Sequence, residues 1–158
     1  YEPTLCVYTS LFFSSLFADF VVFAGEMSGV AVCAMRKQII LVGTSDFVEL
    51  RAEGENLTFH DMQTGTPVMY RYAEESSCPY ILADFSRVSS SMSVSEAFNL
   101  VRLYEYNLPQ YKHMAIALLA NNSIIEFARY WEEVCLRRGF QVRVFLARTE
   151  AICWLRSL

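Results

Sequence analysis

The second half of the chain contains three short apolar runs, and each is followed by a stretch with helical periodicity. The runs are residues 78–85 (CPYILADF), 113–120 (HMAIALLA) and 141–147 (QVRVFLA). Each has the length of a strand, and a continuous apolar run is typical of a strand buried on both faces of a parallel sheet. Because strands that alternate with helices form β-α-β units, this half of the chain predicts a parallel sheet covered by helices.

The helices between these runs carry recognisable start and stop signals. Ser93 and Glu96 have the spacing of a capping box, and Pro109 should end the helix that follows. Asn122-Ser123 is expected to cap the next helix, and Gly139 to supply its C-terminal cap. The apolar residues of that helix recur at spacings typical of one buried face. They are Ile124, Phe127, Ala128, Trp131, Val134 and Cys135.

The middle of the chain predicts an antiparallel hairpin and a short helix. Apolar runs at residues 47–50 and 57–59 flank the polar turn 53–56 (EGEN), as in a hairpin. Thr66-Pro67 offers a cap followed by proline at the first helical position. With a last amphipathic helix from Thr149, the predicted fold class is α/β. We expect a mixed, largely parallel sheet with an N-terminal β-hairpin and helices covering it.

Residues 1–35 form an apolar segment that differs from the rest of the chain because it contains no lysine or arginine. Residues 5–34 are long enough to span a bilayer, which takes about 20 mainly apolar residues. Asp19 would lie near the middle of such a span and cost about 2.5–3.5 kcal/mol on an insertion scale. The basic residues 36–37 would then leave the rest of the chain in the cytoplasm.

Two other interpretations of this segment remain open. It is a spurious extension if Met27 or Met35 is the true start, or it adds strands that pack on the domain. We therefore divide the chain into an apolar segment, residues 1–35, and a domain, residues 36–158. The domain is expected in the cytoplasm, either free or anchored to the membrane through residues 5–34.

Composition and motifs exclude several classes of function. The 13 basic residues form no cluster against 17 acidic ones, so nucleic acid is not expected as a partner. The glycines form neither a dinucleotide-binding motif nor a P-loop, so no cofactor is predicted. The cysteines are odd in number and scattered, which favours reduced thiols over disulfides or a zinc site. They are Cys6, Cys33, Cys78, Cys135 and Cys153.

No catalytic constellation is visible in the sequence. His60 and His113 are the histidines of the chain, and neither belongs to a nucleophile–base motif. The adjacent pairs at residues 74–75 and 132–133 are glutamates that point about 100° apart on a helix, so they form no acid–base couple. An enzyme would need a spatial arrangement such as Asp84 with His60. We therefore predict a non-enzymatic protein without a metal site.

The candidate site follows the strand at residues 78–85, where the chain breaks into a serine-rich loop before the next helix. In open α/β sheets, ligands and partners bind outside the carboxyl ends of the strands. Serines there are candidates for phosphorylation, or for binding an anion at the helix N-terminus; alternatively they serve only as turn and cap residues. The candidate residues are Asp84, Ser86, Ser89, Ser90, Ser91, Ser93, Ser95 and Glu96.

Aromatic residues of the C-terminal half suggest a second kind of site. Placed between sheet and helices, they would line a pocket for a small apolar, lipid-like ligand, although core packing also accounts for most of them. The set is Phe98, Tyr104, Tyr106, Tyr111, Phe127, Tyr130 and Trp131. The carrier of an apolar ligand is therefore the alternative to a protein-interaction module.

Several motifs, taken in order, resemble the STAS-like domains. They are DFSRV (84–88), the serine-bearing helix start, AIALL (115–119), RGFQVRVF (138–145) and AICWL (151–155). The resemblance extends over about residues 38–158, and the relatives are bacterial anti-sigma-factor antagonists and small uncharacterised bacterial STAS-like proteins.

This resemblance implies a non-enzymatic regulatory module whose partner surface is the strand-to-helix turn 84–96. A kinase or an anti-sigma-like protein would be the partner. In the antagonists, a partner kinase phosphorylates a serine that follows an aspartate at the helix start. Ser93 lies near that position, and Met92 stands where the antagonists have the aspartate.

Overall fold

The structure is a computed structural model of the chain, and it describes residues 21–25, 29–34, 37–43 and 46–158. The first three ranges are described as backbone strands only. The described part forms one sheet, with helices on both of its faces.

The sheet contains seven described strands in the order of the sequence. β1 to β4 pair antiparallel, whereas β4 to β7 pair parallel, and both kinds of ladder meet on β4. This mixed sheet, whose parallel half is covered by helices, confirms the predicted α/β fold class. The strands are β1 (Val21–Gly25), β2 (Gly29–Ala34), β3 (Lys37–Gly43), β4 (Val48–Leu57), β5 (Tyr80–Ser90), β6 (Ala115–Leu119) and β7 (Gln141–Phe145).

Four α-helices connect or follow the parallel strands: α1 (Phe59–Glu75), α2 (Val94–Asn107), α3 (Ile125–Arg137) and α4 (Arg148–Arg156). α1, α2 and α3 pack on one face of the sheet and form the larger core. α4 packs alone on the opposite face, against β5, β6 and β7. Because neighbouring side chains of a strand point to opposite faces, β5 and β6 contribute alternate residues to the two cores.

Several local predictions are confirmed. β6 is buried along its whole length, as a strand covered on both faces should be. Ser93 and Glu96 form the predicted capping box at the start of α2, which ends at Asn107. Gly139 follows α3 with a φ of 81°, a conformation that glycine adopts without steric cost. Every residue of the predicted apolar stripe of α3 is buried.

The predicted hairpin with its turn at residues 53–56 is wrong. β4 passes through these residues and pairs with β3 on one side and β5 on the other. Gly54 and Asn56 have positive φ angles, and the ladder to β5 shifts register between Gly54 and Leu57. Glycine in a strand often marks such an irregularity, so the turn signal reported a bulge within one strand rather than a reversal of the chain.

The predicted helix start at Thr66-Pro67 is also wrong, because the first helical residue is Phe59, eight residues before Pro67. Thr58 caps it: its backbone N–H and its hydroxyl donate to Asp61 Oδ2 at 2.7 and 2.6 Å, and its Oγ1 accepts from the Asp61 N–H at 3.3 Å. Pro67 lies inside the helix. A capping box with Asp in place of Glu was the stronger signal.

The predicted cap of α3 at Asn122-Ser123 is wrong by position. α3 begins at Ile125, and Ile124 before it makes no side-chain capping bond. Asn121 instead organises this loop, because its Oδ1 accepts from the Ser123 N–H at 2.8 Å. The helix therefore starts one or two residues later than the polar pair suggested.

The expected membrane anchor, residues 5–34, falls partly outside the described residues. Its described parts are strands β1 and β2, which pair with each other, and β2 pairs with β3. The boundary drawn between residues 35 and 36 thus lies between two paired strands. Within the described ranges, no helix has both the length and the apolar character to cross a membrane. The anchor and the spurious extension stay predictions.

Candidate functional site

The predicted serine-rich loop is much shorter in the structure. β5 continues to Ser90, so only residues 91–93 separate it from α2. β4 runs beside this extension, where Gly54 pairs with Val88. On the other side β6 has ended, and Asn121 Nδ2 donates to the carbonyls of Ser86 and Val88 at 3.0 and 2.7 Å. These partners satisfy the backbone and keep the serine run extended.

Asp84 and Ser86 lie on the α4 face of the sheet, away from α2. The backbone N–H and the hydroxyl of Ser86 donate to Asp84 Oδ1 at 3.0 and 2.6 Å. The other carboxylate oxygen, Oδ2, accepts from Arg148 Nη1 at 3.1 Å. Asp84 therefore belongs to a group of charges at the start of α4 rather than to the β5–α2 turn.

The centre of this charged group is Glu49, which sequence reasoning missed. Its side chain is only 4% exposed. Arg148 donates to both carboxylate oxygens at 2.8 and 2.7 Å, and Arg51 Nε donates to Oε1 at 2.6 Å. Burial would raise the pKa of Glu49, but the hydrogen bonds from Arg148 and Arg51 outweigh it and hold the pKa below its usual value. The sequence signal that could have identified Glu49 is its position as the single acid in the apolar run 47–50.

Ser93, Ser95 and Glu96 form a second group at the N-terminus of α2. Glu96 Oε2 accepts from the backbone N–H of Ser93 at 2.7 Å and from its hydroxyl at 2.8 Å. Ser93 Oγ also lies 2.9 Å from Ser95 Oγ. The hydrogen bonds from the Ser93 backbone and hydroxyl lower the pKa of Glu96. Both serines are exposed, so a partner protein or an enzyme can reach their hydroxyls.

The remaining candidate serines attach the turn to the end of β4. Ser89 Oγ accepts from the Asn56 N–H at 2.9 Å, and Ser91 Oγ donates to Asn56 Oδ1 at 2.9 Å. Ser90 Oγ donates to the Leu57 carbonyl at 2.7 Å. The structure thus divides the predicted site residues into three groups. Asp84 and Ser86 lie apart on the α4 face, whereas the other two groups, from Ser89 to Glu96, form one surface at the β5–α2 turn.

An apolar pocket lies between the sheet and helices α1, α2 and α3. Of the predicted aromatic set, Tyr104, Phe127 and Trp131 line it. Phe98, Tyr106, Tyr111 and Tyr130 do not. Tyr106 is exposed, and the Tyr111 ring stacks on Tyr70 with centroids 4.8 Å apart.

Three of the residues that line this pocket carry buried polar groups. Thr66 Oγ1 and the Tyr104 hydroxyl lie 2.8 Å apart as a buried hydrogen-bonded pair, and burial raises the pKa of Tyr104 well above its usual value. Trp131 is 5% exposed, and among the described residues its Nε1–H is a buried side-chain donor without a hydrogen-bond partner. The sequence predicted the burial of Trp131 but carried no signal for its unpaired N–H.

The residues considered for catalysis lie apart. His60 is exposed on α1, on the opposite face of the sheet from Asp84, so the Asp84–His60 arrangement is not formed. His113 is also exposed, and its Nδ1 lies 2.8 Å from the Gln110 carbonyl. Of the cysteines whose side chains are described, Cys78, Cys135 and Cys153 are free thiols.

The solved structures to which the chain is similar include the following two. One is an anti-sigma factor antagonist from Mycobacterium paratuberculosis, 14% identical, with a TM-score of 0.52 over 76% of this chain and 94% of that chain. The other is an uncharacterised protein with a SpoIIAA-like fold from Shewanella loihica PV-4, 18% identical, with a TM-score of 0.48 over 83% and 99% of the two chains. No protein-family model and no curated protein sequence matches the chain. The element order, the mixed sheet and the first of these similarities show that this chain has a STAS-like fold.

Proposed function

We propose that the chain is a non-enzymatic regulatory module that binds a protein partner through the surface formed by residues 89–96, at the β5–α2 turn. The main observation in favour of the proposal is that this surface is exposed to solvent while hydrogen bonds hold its backbone in place. Ser91, Ser93 and Ser95 are exposed, and so is Val94, an apolar side chain with 40% of its surface accessible. Hydroxyls next to an accessible apolar side chain suit the rim and centre of a protein interface.

The base of this surface is built to hold its shape. The bonds from Ser89 and Ser91 to Asn56 tie it to β4, and the capping box of Ser93 and Glu96 fixes the start of α2. A surface held in one conformation loses little entropy when a partner binds. The similarity to an anti-sigma factor antagonist favours a regulatory protein, such as a kinase or an anti-sigma-like protein, as the partner.

Phosphorylation of Ser93 would change this surface by charge. A phosphate adds about −1.5 to −2 charges, and it would stand beside the Glu96 carboxylate, whose oxygen lies 2.8 Å from Ser93 Oγ. The two anions would repel each other, while the helix N-terminus would stabilise the phosphate. We therefore expect Glu96 to swing away and the partner to lose its binding surface, with α2 remaining folded.

The test compares two substitutions that each place an acid at the N-terminal end of a helix. Ser93→Asp alters the proposed surface, whereas Thr149→Asp adds the same charge at an exposed position of α4 on the other face of the sheet. The full chain and both variants are purified from the native host, and the proteins that co-purify with each are quantified by mass spectrometry with isotope labels. The proposal is supported if the recovered amount of a partner falls at least tenfold with Ser93→Asp and is unchanged with Thr149→Asp. Equal recovery of all partners with the two variants contradicts it.

A second candidate function, the carrier of a small apolar ligand, is favoured by the pocket beside Trp131. Native mass spectrometry of the gently purified chain tests it. A stoichiometric ligand mass that disappears on denaturation supports the carrier. A clean mass of the chain alone from the native host speaks against it.

A further inference from the structure

β7 lies at one end of the described sheet, because β6 is its only neighbour among the described strands. In a parallel ladder, alternate residues of a strand turn their N–H and C=O groups toward the same neighbour. The Phe145 carbonyl accepts from the Ala120 N–H at 2.9 Å, just beyond the end of β6, so residues 141, 143 and 145 face β6. Val142 and Val144 therefore turn their N–H and C=O groups to the outer edge.

The outer edge of β7 is closed at Val144. Its N–H donates to Glu132 Oε1 at 2.8 Å, although Glu132 belongs to a different element, the helix α3. The other carboxylate oxygen of Glu132 accepts from Arg129 Nη1 at 3.0 Å, which helps to hold the side chain in place. Only 2% of Val144 and 15% of the Glu132 side chain are accessible. The carboxylate thus occupies the N–H that an added strand would need.

Glu133, the next residue of α3, shows how the same side chain is placed without this contact. It pairs with Arg137 on the helix surface, and 55% of its side chain is accessible. Both glutamates accept from an arginine of α3, but of the two Glu132 alone accepts from a backbone N–H of the sheet. Folded proteins commonly use charged side chains to protect a sheet edge from pairing with another chain. The contact between Glu132 and β7 has this form.

A second copy of this chain suits the edge once it is open. Two β7 strands related by a two-fold axis at Val144 would run antiparallel, with the N–H of each Val144 donating to the carbonyl of the other. Arg143 would then lie opposite Phe145 of the second copy. Within one chain, the Arg143 guanidinium lies 5.6 Å from the centroid of the Phe145 ring, so this pairing would repeat an attractive contact. The register needs both Val144 N–H groups, which are the donors that Glu132 occupies.

We propose that the outer edge of β7 is a latent self-association surface, and that Glu132 keeps it closed by accepting from the Val144 N–H. When the carboxylate is removed, the edge takes a second copy of this chain as an added antiparallel strand. This surface lies on β7 and α3, apart from residues 89–96, so it stands or falls independently of the proposed partner surface.

The experiment compares Glu132→Ala with Glu133→Ala in the full chain by sedimentation equilibrium. Each variant removes one glutamate of α3 and unpairs one arginine, but only Glu132→Ala frees the Val144 N–H. We expect Glu132→Ala to dimerise at least tenfold more tightly than the unaltered chain, because two backbone hydrogen bonds form across the two-fold axis. Glu133→Ala should match the unaltered chain. Equal dimerisation constants for the three chains overturn the proposal.

Two further measurements locate the contact. Val144→Pro added to Glu132→Ala removes the N–H donor at a position that does not bond to β6, so the dimerisation constant should return to that of the unaltered chain. A dimer that persists overturns the pairing at this edge. Amide hydrogen exchange of the unaltered chain depends on no variant. There the Val144 N–H should exchange at least tenfold more slowly than the Val142 N–H, which turns to the same edge. Equal exchange rates overturn the role of Glu132.

Discussion

The two faces of the sheet each bury a polar side chain, and they differ in whether that side chain has hydrogen-bond partners. On the α4 face, the carboxylate of Glu49 accepts hydrogen bonds from Arg148 and Arg51, and Arg148 also pairs with Asp84. On the other face, Trp131 lines a pocket and is about as buried as Glu49, yet its N–H has no hydrogen-bond partner among the described residues. The charged group on the first face joins β4, β5 and α4, whereas the indole N–H of Trp131 on the second face is buried without such a partner among the described residues.

The largest effect should come from unpairing the charged group. Arg148→Met leaves Glu49 buried with only Arg51 as a partner, and breaking a buried pair from one side typically costs about 3–5 kcal/mol. We expect a loss near the lower end, about 3 kcal/mol, because Arg51 remains. Urea unfolding followed by circular dichroism measures it.

The matched control is Arg156→Met, at the other end of α4. Arg156 pairs with Asp46 at 2.8 Å, but its side chain is 61% exposed, and exposed pairs contribute about 0–1 kcal/mol. Glu49→Leu combined with Arg148→Met should recover most of the lost stability. Similar losses for Arg148→Met and Arg156→Met would show that the α4 face is not the tightly paired side of the comparison.

A smaller effect is expected at the buried pair of Thr66 and Tyr104 on the pocket face. Thr66→Val leaves the buried Tyr104 hydroxyl without its partner, which should cost about 1–2 kcal/mol of unfolding free energy. Tyr104→Phe should cost less, because a threonine hydroxyl in a helix can turn to a carbonyl of the preceding turn. Thermal unfolding of both variants and of the double variant gives the coupling between the two hydroxyls. Additive losses would show that the pair is not a unit.

The third effect is a loss of stability at low pH that we attribute to the charged group on the α4 face. Because the pKa of Glu49 is lowered by folding, its contribution to stability is present above its ordinary value of 4.5 and is lost as the pH falls through the folded value. We expect the chain to lose stability below pH 4.5, and the combination of Glu49→Leu with Arg148→Met to lose less. Urea unfolding at a series of pH values measures this. Parallel acid profiles would assign the loss to other carboxylates.

The smallest effect on stability is expected at Trp131 itself. Trp131→Phe removes volume, which destabilises, and also removes a buried unpaired donor, which stabilises. The two should largely cancel, leaving a change within about 1 kcal/mol. Differential scanning calorimetry without added ligand checks this. A loss above about 3 kcal/mol, as for a tightly packed core tryptophan, would mean that the ring serves mainly packing.

Much of the fold followed from local patterns in the sequence. The apolar run of β6 and the stripe of α3 were predicted correctly because burial on two faces or on one face leaves a distinct periodicity. The capping box of Ser93 and Glu96 was predicted correctly because all its partners lie within four residues. Features of this kind depend on residues that are close together in the sequence.

The errors arose where a local signal competed with a distant contact. The polar residues 53–56 resemble a hairpin turn, yet they remain in a strand because β3 and β5 pair with β4 on both sides. The serines from 86 to 90 resemble a loop, yet Asn121 and β4 satisfy their backbone. In both cases hydrogen bonds from residues far away in the sequence outweighed a weak local preference.

The candidate site shows the same division. The sequence by itself determined the alternation of strands and helices from β5 onward, the capped start of α2 and the apolar character of Trp131 and its neighbours, because periodicity and capping are local. Only the tertiary structure decided that Asp84 joins Glu49 and Arg148 on one face, that Ser89 and Ser91 bind Asn56, and that the Trp131 N–H is left unpaired beside a pocket. Whether a buried polar group finds a partner depends on which distant elements pack against it, and no local pattern encodes that.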